Sequence, residues 1–344
     1  MRAIKEAFPE ARLVMAVHAK AGDLARGCRW TDDILLIDTQ RVGPVDRLRR
    51  SVRFALDVRR AHYDLVFDLR TGDRSAVLSL LTGARQRVSF YGKYNTLWRN
   101  RIYTHLVFPD KSPDLHIVAY YLSLLNAYGI DTENSIPSMH VTDAQTKAAE
   151  ALFDAEGIPS AGKVIALHPF SLWEYKNWAL ENHAVLMDWI VDRFDASVII
   201  AGTADQRDRA EWIVQRCKNK VFNLAGKTSL ALVPAILRRC AASIGVDTAG
   251  GHIAAAVGTP TVTLFGPGNF HQWAPMGAHS KVVHKRWECV PCGRMGCEDS
   301  RKSRCLDELT PTEVKAEIED FLNDILFQFS DTAAPGSPSD SRAR

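Results

Sequence analysis

Two Rossmann-like α/β domains, each a mostly parallel sheet covered on both faces by helices, are what this 344-residue sequence predicts. Three observations carry that expectation. Short apolar runs alternate with amphipathic stretches along the chain, which is the rhythm of βαβ units whose strands are buried on both faces. The rhythm thins into a polar stretch near 133–160 and then restarts, so it divides the chain in two. With 46% hydrophobic and 24% charged residues, the composition is that of a globular chain able to bury a core in each half.

The first half opens at 1–8 (MRAIKEAF) on a helical pattern and turns into a strand at 13–17 (LVMAV). Further strands are expected at 34–38 (ILLID) and 64–69 (DLVFDL). Between them, VDRLRRSVRFALDVRRAHY places apolar residues at helical spacing with arginines around the other face. Residues 114–129 (DLHIVAYYLSLLNAYG) predict a helix closed by a glycine, and TKAAEALFDAEG a shorter one. A doubly wound domain normally opens with a strand that hands a functional loop to the next helix, and here the helix comes first. The first strand is therefore expected to be missing.

The second half reads as a complete doubly wound domain. Strands KVIALHPF, SVIIAG, VFNLAG, ASIGVD and TVTLFG are separated by helices at 179–193, 205–218, 229–239 and 250–257. The resulting division is an N-terminal domain over 1–132, a linker region over 133–160, a C-terminal domain over 161–312 and a C-terminal helix over 313–328. The tail at 329–344 is rich in small and polar residues and Pro and is expected to be disordered.

Composition excludes several functions. Forty-three basic against 40 acidic residues give a formal charge of +3, far from the basic footprint of a nucleic-acid binder. No apolar run reaches the roughly 18 to 20 residues of a membrane span, and the start lacks the apolar centre of a secretory signal. The expected location is cytoplasmic, with peripheral contact at a membrane face left open. No G-x-G-x-x-G follows a predicted strand, which argues against a dinucleotide-dependent dehydrogenase.

The segment richest in chemistry is SIGVDTAGGHIAAAVGTPTVTLFGP, residues 243–267. A strand ends at Val246, and Asp247, Thr248, Ala249, Gly250, Gly251 and His252 lead into a small-residue helix. Small residues let backbone approach a ligand, and a helix start offers free N–H groups to a phosphate. The turn taken alone equally suits close packing. His252 either contacts a phosphate or sugar hydroxyl or packs between strands.

DTAGGHIAAAVGTPTVTLFGP resembles the donor-site signature of glycosyltransferase family 9, the lipopolysaccharide heptosyltransferases. IALHPFSLWEYKNWALENHAVLMDWI, VIIAGTADQRDRAEWI, AIKEAFPEARL, YDLVFDLRTGDRSAVLSLLTGARQRVSF and SPDLHIVAYYLSLLNAYGI are similar to further family segments, so the likeness spans 2–328. It implies the GT-B arrangement, two Rossmann-like domains facing each other across a cleft, with acceptor held by the N-terminal domain and nucleotide sugar by the C-terminal one. It also implies an inverting transfer of heptose from ADP-heptose to the inner core of lipopolysaccharide, at the cytoplasmic face of the inner membrane and without a cofactor for the chemistry.

By position in the family pattern, Lys176 is the lysine that neutralises the leaving diphosphate, Ser171 the hydroxyl beside it, and Asp205 the carboxylate holding the ribose. The donor set is completed by Asp247, Thr248, Ala249, Gly250, Gly251 and His252. Ala249 departs from the usual glycine by one methyl at the phosphate turn. The family's general base sits in a Gly-Asp loop before the first helix, so it is expected to be absent from this chain. Gly22-Asp23 follows a strand and is not that loop. A catalytically inactive donor-binding relative is the rival reading.

Arg70, Arg74, Arg85 and Arg87 gather around a strand end and the following helix, with Lys93 beyond. Arg70, Arg74 and Lys93 are expected to hold an anionic acceptor, the bland counterpart being a solvated helix face. Trp98 and Tyr103 lie among basic residues and either touch a membrane surface or pack on the sheet. Cys289, Cys292, Cys297 and Cys305 form C-x2-C-x4-C-x7-C, which suits a structural zinc or a set of reduced thiols.

Overall fold

The computed structural model describes residues 1–37, 43–92, 97–110, 112, 114–159 and 161–331. The chain divides into two compact units, Met1–Ser135 and Ile136–Arg344.

Unit 1 runs α1 (Arg2–Ala7), β1 (Val14–His18), α2 (Gly22–Ala25), β2 (Asp33–Ile37), α3 (Pro44–Arg60), β3 (Leu65–Asp68), α4 (Asp73–Thr82), β4 (Gln86–Phe90), α5 (Leu97–Ile102), β5 (His105–Val107) and α6 (Ile117–Asn126). The strands form two parallel sheets, β1-β2 and β3-β4-β5, with no pairing between them among the described residues. Helix α6 starts at Ile117 rather than 114, because the His116 ring accepts the Val118 N–H and caps it there. Proline at the first turn of α3 supplies a preset φ where no N–H partner is needed.

Unit 2 runs α7 (Asp143–Glu156), β6 (Lys163–His168), α8 (Leu180–Phe194), β7 (Ala196–Ile200), α9 (Arg207–Val214), β8 (Val221–Asn223), α10 (Val233–Arg239), β9 (Ala242–Val246), α11 (Ala249–Ala256), β10 (Thr261–Leu264), α12 (Phe270–Trp273), β11 (Ser280–Val283), α13 (Arg304–Asp307) and α14 (Pro311–Asp331). All its strands are parallel, in the order β11-β10-β9-β6-β7-β8. Every residue of β9 and β10 is buried, as a sheet covered on both faces requires.

Five strands were expected and a sixth, β11, is present. Its first three residues are exposed or half-buried at the sheet edge, so it lacks the continuous apolar run that marks the others. Helix α14 belongs to this core: Val314, Ile318, Leu322 and Leu326 are buried in the cluster that includes Leu186 and Ile190 of α8. The buried Trp178 indole donates to the Leu309 carbonyl at 2.7 Å, fixing the entry to α14. No helix among the described residues is long and apolar enough to cross a membrane.

Candidate functional site

In unit 2 the C-terminal ends of the central strands converge residues that are far apart in sequence. Strands β6 and β9 are neighbours with His168 paired to Gly245, so the loop after β6 and the turn after β9 emerge side by side. The first loop holds Ser171, buried, and Lys176 at the end of a short 3-10 turn, Glu174–Lys176. The second begins with Asp247, which is 9% exposed. The Lys176 ammonium donates to Asp247 Oδ2 at 2.5 Å, and the Ser171 hydroxyl donates to the Asp247 carbonyl at 3.2 Å. Asn177 holds the loop by accepting the Ser171 N–H at 2.7 Å. Ser171, Lys176 and Asp247 therefore form one constellation.

Thr248 is the N-cap of α11, and its side chain makes no capping hydrogen bond. The first turn therefore takes no cap from the Thr248 side chain, an arrangement that favours an anion. The glycines there have specific neighbours. A Cβ on Gly250 would run into the His168 ring, and one on Gly251 would come within 3.2 Å of Pro275 and 3.3 Å of Thr263. Ala249 is exposed and has no left-handed φ, so the extra methyl is accommodated without displacing the turn. His252 is half-buried in the same first turn. Asp205 stands exposed in the 3-10 turn Ala204–Gln206, beyond the C-terminal end of β7, the strand next to β6.

His168 was not singled out by sequence. It is 6% exposed, its Nε2 has no hydrogen-bond partner, and burial lowers its pKa to about 4. It is therefore neutral near pH 7 and fills the space beneath the first turn of α11. The histidine before a Pro-Phe pair at a strand end carried the signal, but only the register of β6 against β9 shows what it touches.

Unit 1 has a cavity of about 860 Å3. Its lining includes Arg70 and Arg74 from the β3–α4 connection, Arg47 and Arg50 from α3, and His18 from the end of β1. Leu36, Phe54, Val77, Leu78 and Leu81 give it an apolar floor. Gly72, the N-cap of α4, offers no side-chain cap, and the start of that helix from Gly72 to Ser75 lines the cavity. Four guanidiniums against the single carboxylate of Asp73 make a space suited to an anion with an apolar face. Arg47 and Arg50 were missed in sequence because they read as the solvated side of an amphipathic helix. Lys93 lies outside the described residues.

The expected arginine cluster is split. Arg85, just before β4, and Arg87, at its start, lie at the opposite end of α4 from Arg70 and Arg74, because most of that ten-residue helix intervenes at about 1.5 Å per residue. Arg87 is spent on the structure, donating to the Ile102 carbonyl at 2.7 Å. Asp68, at the end of β3, is buried with both oxygens engaged: Oδ1 accepts the Arg70 N–H at 2.9 Å and Oδ2 accepts the Tyr103 hydroxyl. The fully buried Arg99 donates to the Arg70 and Phe90 carbonyls, each at 3.1 Å, and to Ser89 Oγ at 2.9 Å. This network fixes the loop carrying Arg70. Tyr103 therefore packs inside, its hydroxyl pKa raised by burial and by Asp68, while Trp98 is 40% exposed.

The four cysteines do not assemble into the tetrahedral set that zinc would need. Among the described residues no three His, Cys, Asp or Glu side chains stand where they could share a metal ion. Cys305 is drawn into the core on α13, where burial raises its pKa to about 11, while Cys289 and Cys292 remain exposed on the preceding loop. Apolar packing beside Leu306 has claimed one of the four thiols.

Residues 51–302 match the profile of glycosyltransferase family 9 (heptosyltransferase). Lipopolysaccharide heptosyltransferase 3 of Escherichia coli K12 is 27% identical over 276 residues, covering 79% of this chain and 78% of that protein. Lipopolysaccharide heptosyltransferase 1 of Pseudomonas aeruginosa is 28% identical over 186 residues, 50% of this chain and 51% of that one. Among solved structures, a family 9 glycosyl transferase from Veillonella parvula superposes with a TM-score of 0.80 at 19% identity, covering 94% of this chain and 91% of its own. E. coli ADP-heptose lps heptosyltransferase II gives 0.76 at 19% identity, with 96% and 93% covered. E. coli heptosyltransferase WaaC with ADP gives 0.68 at 18% identity, with 93% of each chain covered. The expected GT-B fold class is that of these structures.

Proposed function

The chain belongs to glycosyltransferase family 9, the heptosyltransferases, and is a transferase; on that premise we propose that it moves a heptose from ADP-heptose to the inner core of lipopolysaccharide, inverting the anomeric carbon. The relatives named above as lipopolysaccharide heptosyltransferases support the sugar and the acceptor, and the neighbour solved with ADP supports the nucleotide. Action at the cytoplasmic face of the inner membrane follows from that acceptor.

The observation that carries the reading is the meeting of Lys176 with Asp247 beside the uncapped start of α11. As the bond from the anomeric carbon to the diphosphate oxygen breaks, negative charge grows on the leaving ADP. Lys176, Thr248 and the N–H groups of Ala249, Gly250 and Gly251 are assigned to receive it, and preformed donors cost no reorganisation at that moment. Asp247 holds the ammonium in position, Ser171 braces the Asp247 backbone, and Asp205 is suited to the ribose hydroxyls. His252 is assigned to the same donor set.

Arg70 and Arg74, with Lys93, are assigned to the anionic acceptor, and the cavity adds Arg47 and Arg50 to them. The acceptor hydroxyl loses its proton to a carboxylate as the new bond forms. Asp68 is not suited to that task, since both of its oxygens are engaged in holding the loop.

The test is a panel of nucleotide sugars offered to the purified protein with a deacylated inner-core acceptor. ADP release with ADP-heptose alone, and an anomeric configuration opposite to the donor's, is expected. Tight ADP-heptose binding with no transfer would favour the inactive-relative reading, and equal use of hexose donors would remove the heptose assignment.

A further inference from the structure

Helix α3 has a second face that the cavity does not use. Arg47, Arg50 and Phe54 line the cavity and Val58 is buried, which defines the inner side. Val45, Leu48, Val52 and Leu56, spaced three and four residues apart, run along the opposite side, with exposures of 80%, 67%, 50% and 48%. A helix on a water-facing surface has no need of such a stripe. Arginines border it: α3 carries six of them against two aspartates, all exposed, with Arg49 and Arg53 beside Leu48 and Val52.

We propose that this outer face of α3 docks on an anionic phospholipid bilayer, with Val45, Leu48, Val52 and Leu56 entering the acyl boundary and Arg49, Arg53 and Arg60 meeting lipid phosphates. The charge decides the occupant. A second copy laid on the same stripe would bring two arginine rims together, whereas an anionic surface complements them. The stripe is aliphatic and has a basic border, which is what an interfacial helix presents. The inference rests on the reading that the acceptor is lipid-anchored. The same helix would then join the bilayer on one side and the basic cavity on the other.

The experiment is co-sedimentation of the full chain with vesicles of phosphatidylglycerol and phosphatidylethanolamine, against vesicles of phosphatidylcholine alone. Binding to the anionic vesicles only is expected, weakened about tenfold by Leu48→Gln/Val52→Gln and again by Arg49→Gln/Arg53→Gln. These side chains are exposed, so the thermal melt should not move. Transfer to a water-soluble acceptor fragment should also be unchanged. Equal binding to both vesicle types, undiminished binding by the variants, or wild-type dimerisation abolished by Leu48→Gln/Val52→Gln would overturn the proposal. Wild-type protein that binds vesicles but transfers nothing to the soluble fragment would count against the heptosyl reading and leave the docking face standing.

Discussion

At the scale of residues, the pair Lys176 and Asp247 does two things that a substitution separates. Lys176→Ala removes a cation beside the developing diphosphate charge and leaves the Asp247 carboxylate uncompensated there, so both effects act against the leaving group. A loss of about tenfold or more in kcat/KM is expected with an unchanged melting curve, and steady-state kinetics with ADP-heptose check it. His168 and His183 set a different dependence. Burial holds them down to about 4 and about 3, with Arg209 adding to the effect on His183. Below 6.5 the unfolded chain protonates both while the folded chain does not, so stability falls as the pH drops toward 4. Each histidine is expected to cost about 2 kcal/mol at about pH 5 relative to neutrality. Denaturant titrations at the two pH values test this, and His183→Phe should flatten the difference.

Elements show where the core is strong and where it is thin. Helix α14 closes the core of unit 2 with Val314, Ile318 and Leu322, each 0% exposed. Leu322→Ala leaves a cavity that rigid neighbours on α8 cannot fill, and a loss of about 3 kcal/mol is expected in equilibrium unfolding. Helix α11 works through smallness instead. Gly250 lies against the His168 ring, so Gly250→Ala is expected to raise the donor KM, and the added change His168→Ala to restore part of it by making room. A coupling near zero between the two substitutions would show that the ring does not set the position of the turn.

On the scale of the whole molecule, each unit offers a distinct chemistry, a helix start without a side-chain cap and a lysine in unit 2 and a four-arginine cavity in unit 1. The function proposed for them predicts a kinetic split. Arg47→Ala and Arg74→Ala should each raise the acceptor KM by about fivefold while leaving the donor KM unchanged, because they line the cavity of unit 1. Initial rates with each substrate varied in turn decide it. A rise in the donor KM alone would move these arginines out of the acceptor role.

The sequence by itself determined the family, the α/β class and the order of most elements. Those properties rest on local patterns: apolar runs such as KVIALHPF, caps such as Gly129 and Gly157, and the segment from Asp247 to Pro267. It also named Ser171, Lys176 and Asp247, but only by resemblance, since a hydrogen bond across 71 residues has no local signature. What the tertiary structure decided is everything set by register and burial. The pairing of His168 with Gly245 brought the lysine to the aspartate and the histidine beneath the glycine turn. Burial took Tyr103 and Cys305 away from surface roles. The fold also sorted the arginines of one helix, turning Arg47 and Arg50 toward a cavity and leaving Val45, Leu48, Val52 and Leu56 facing out. Periodicity shows that a helix has faces, but which face meets the protein depends on the neighbours the fold supplies.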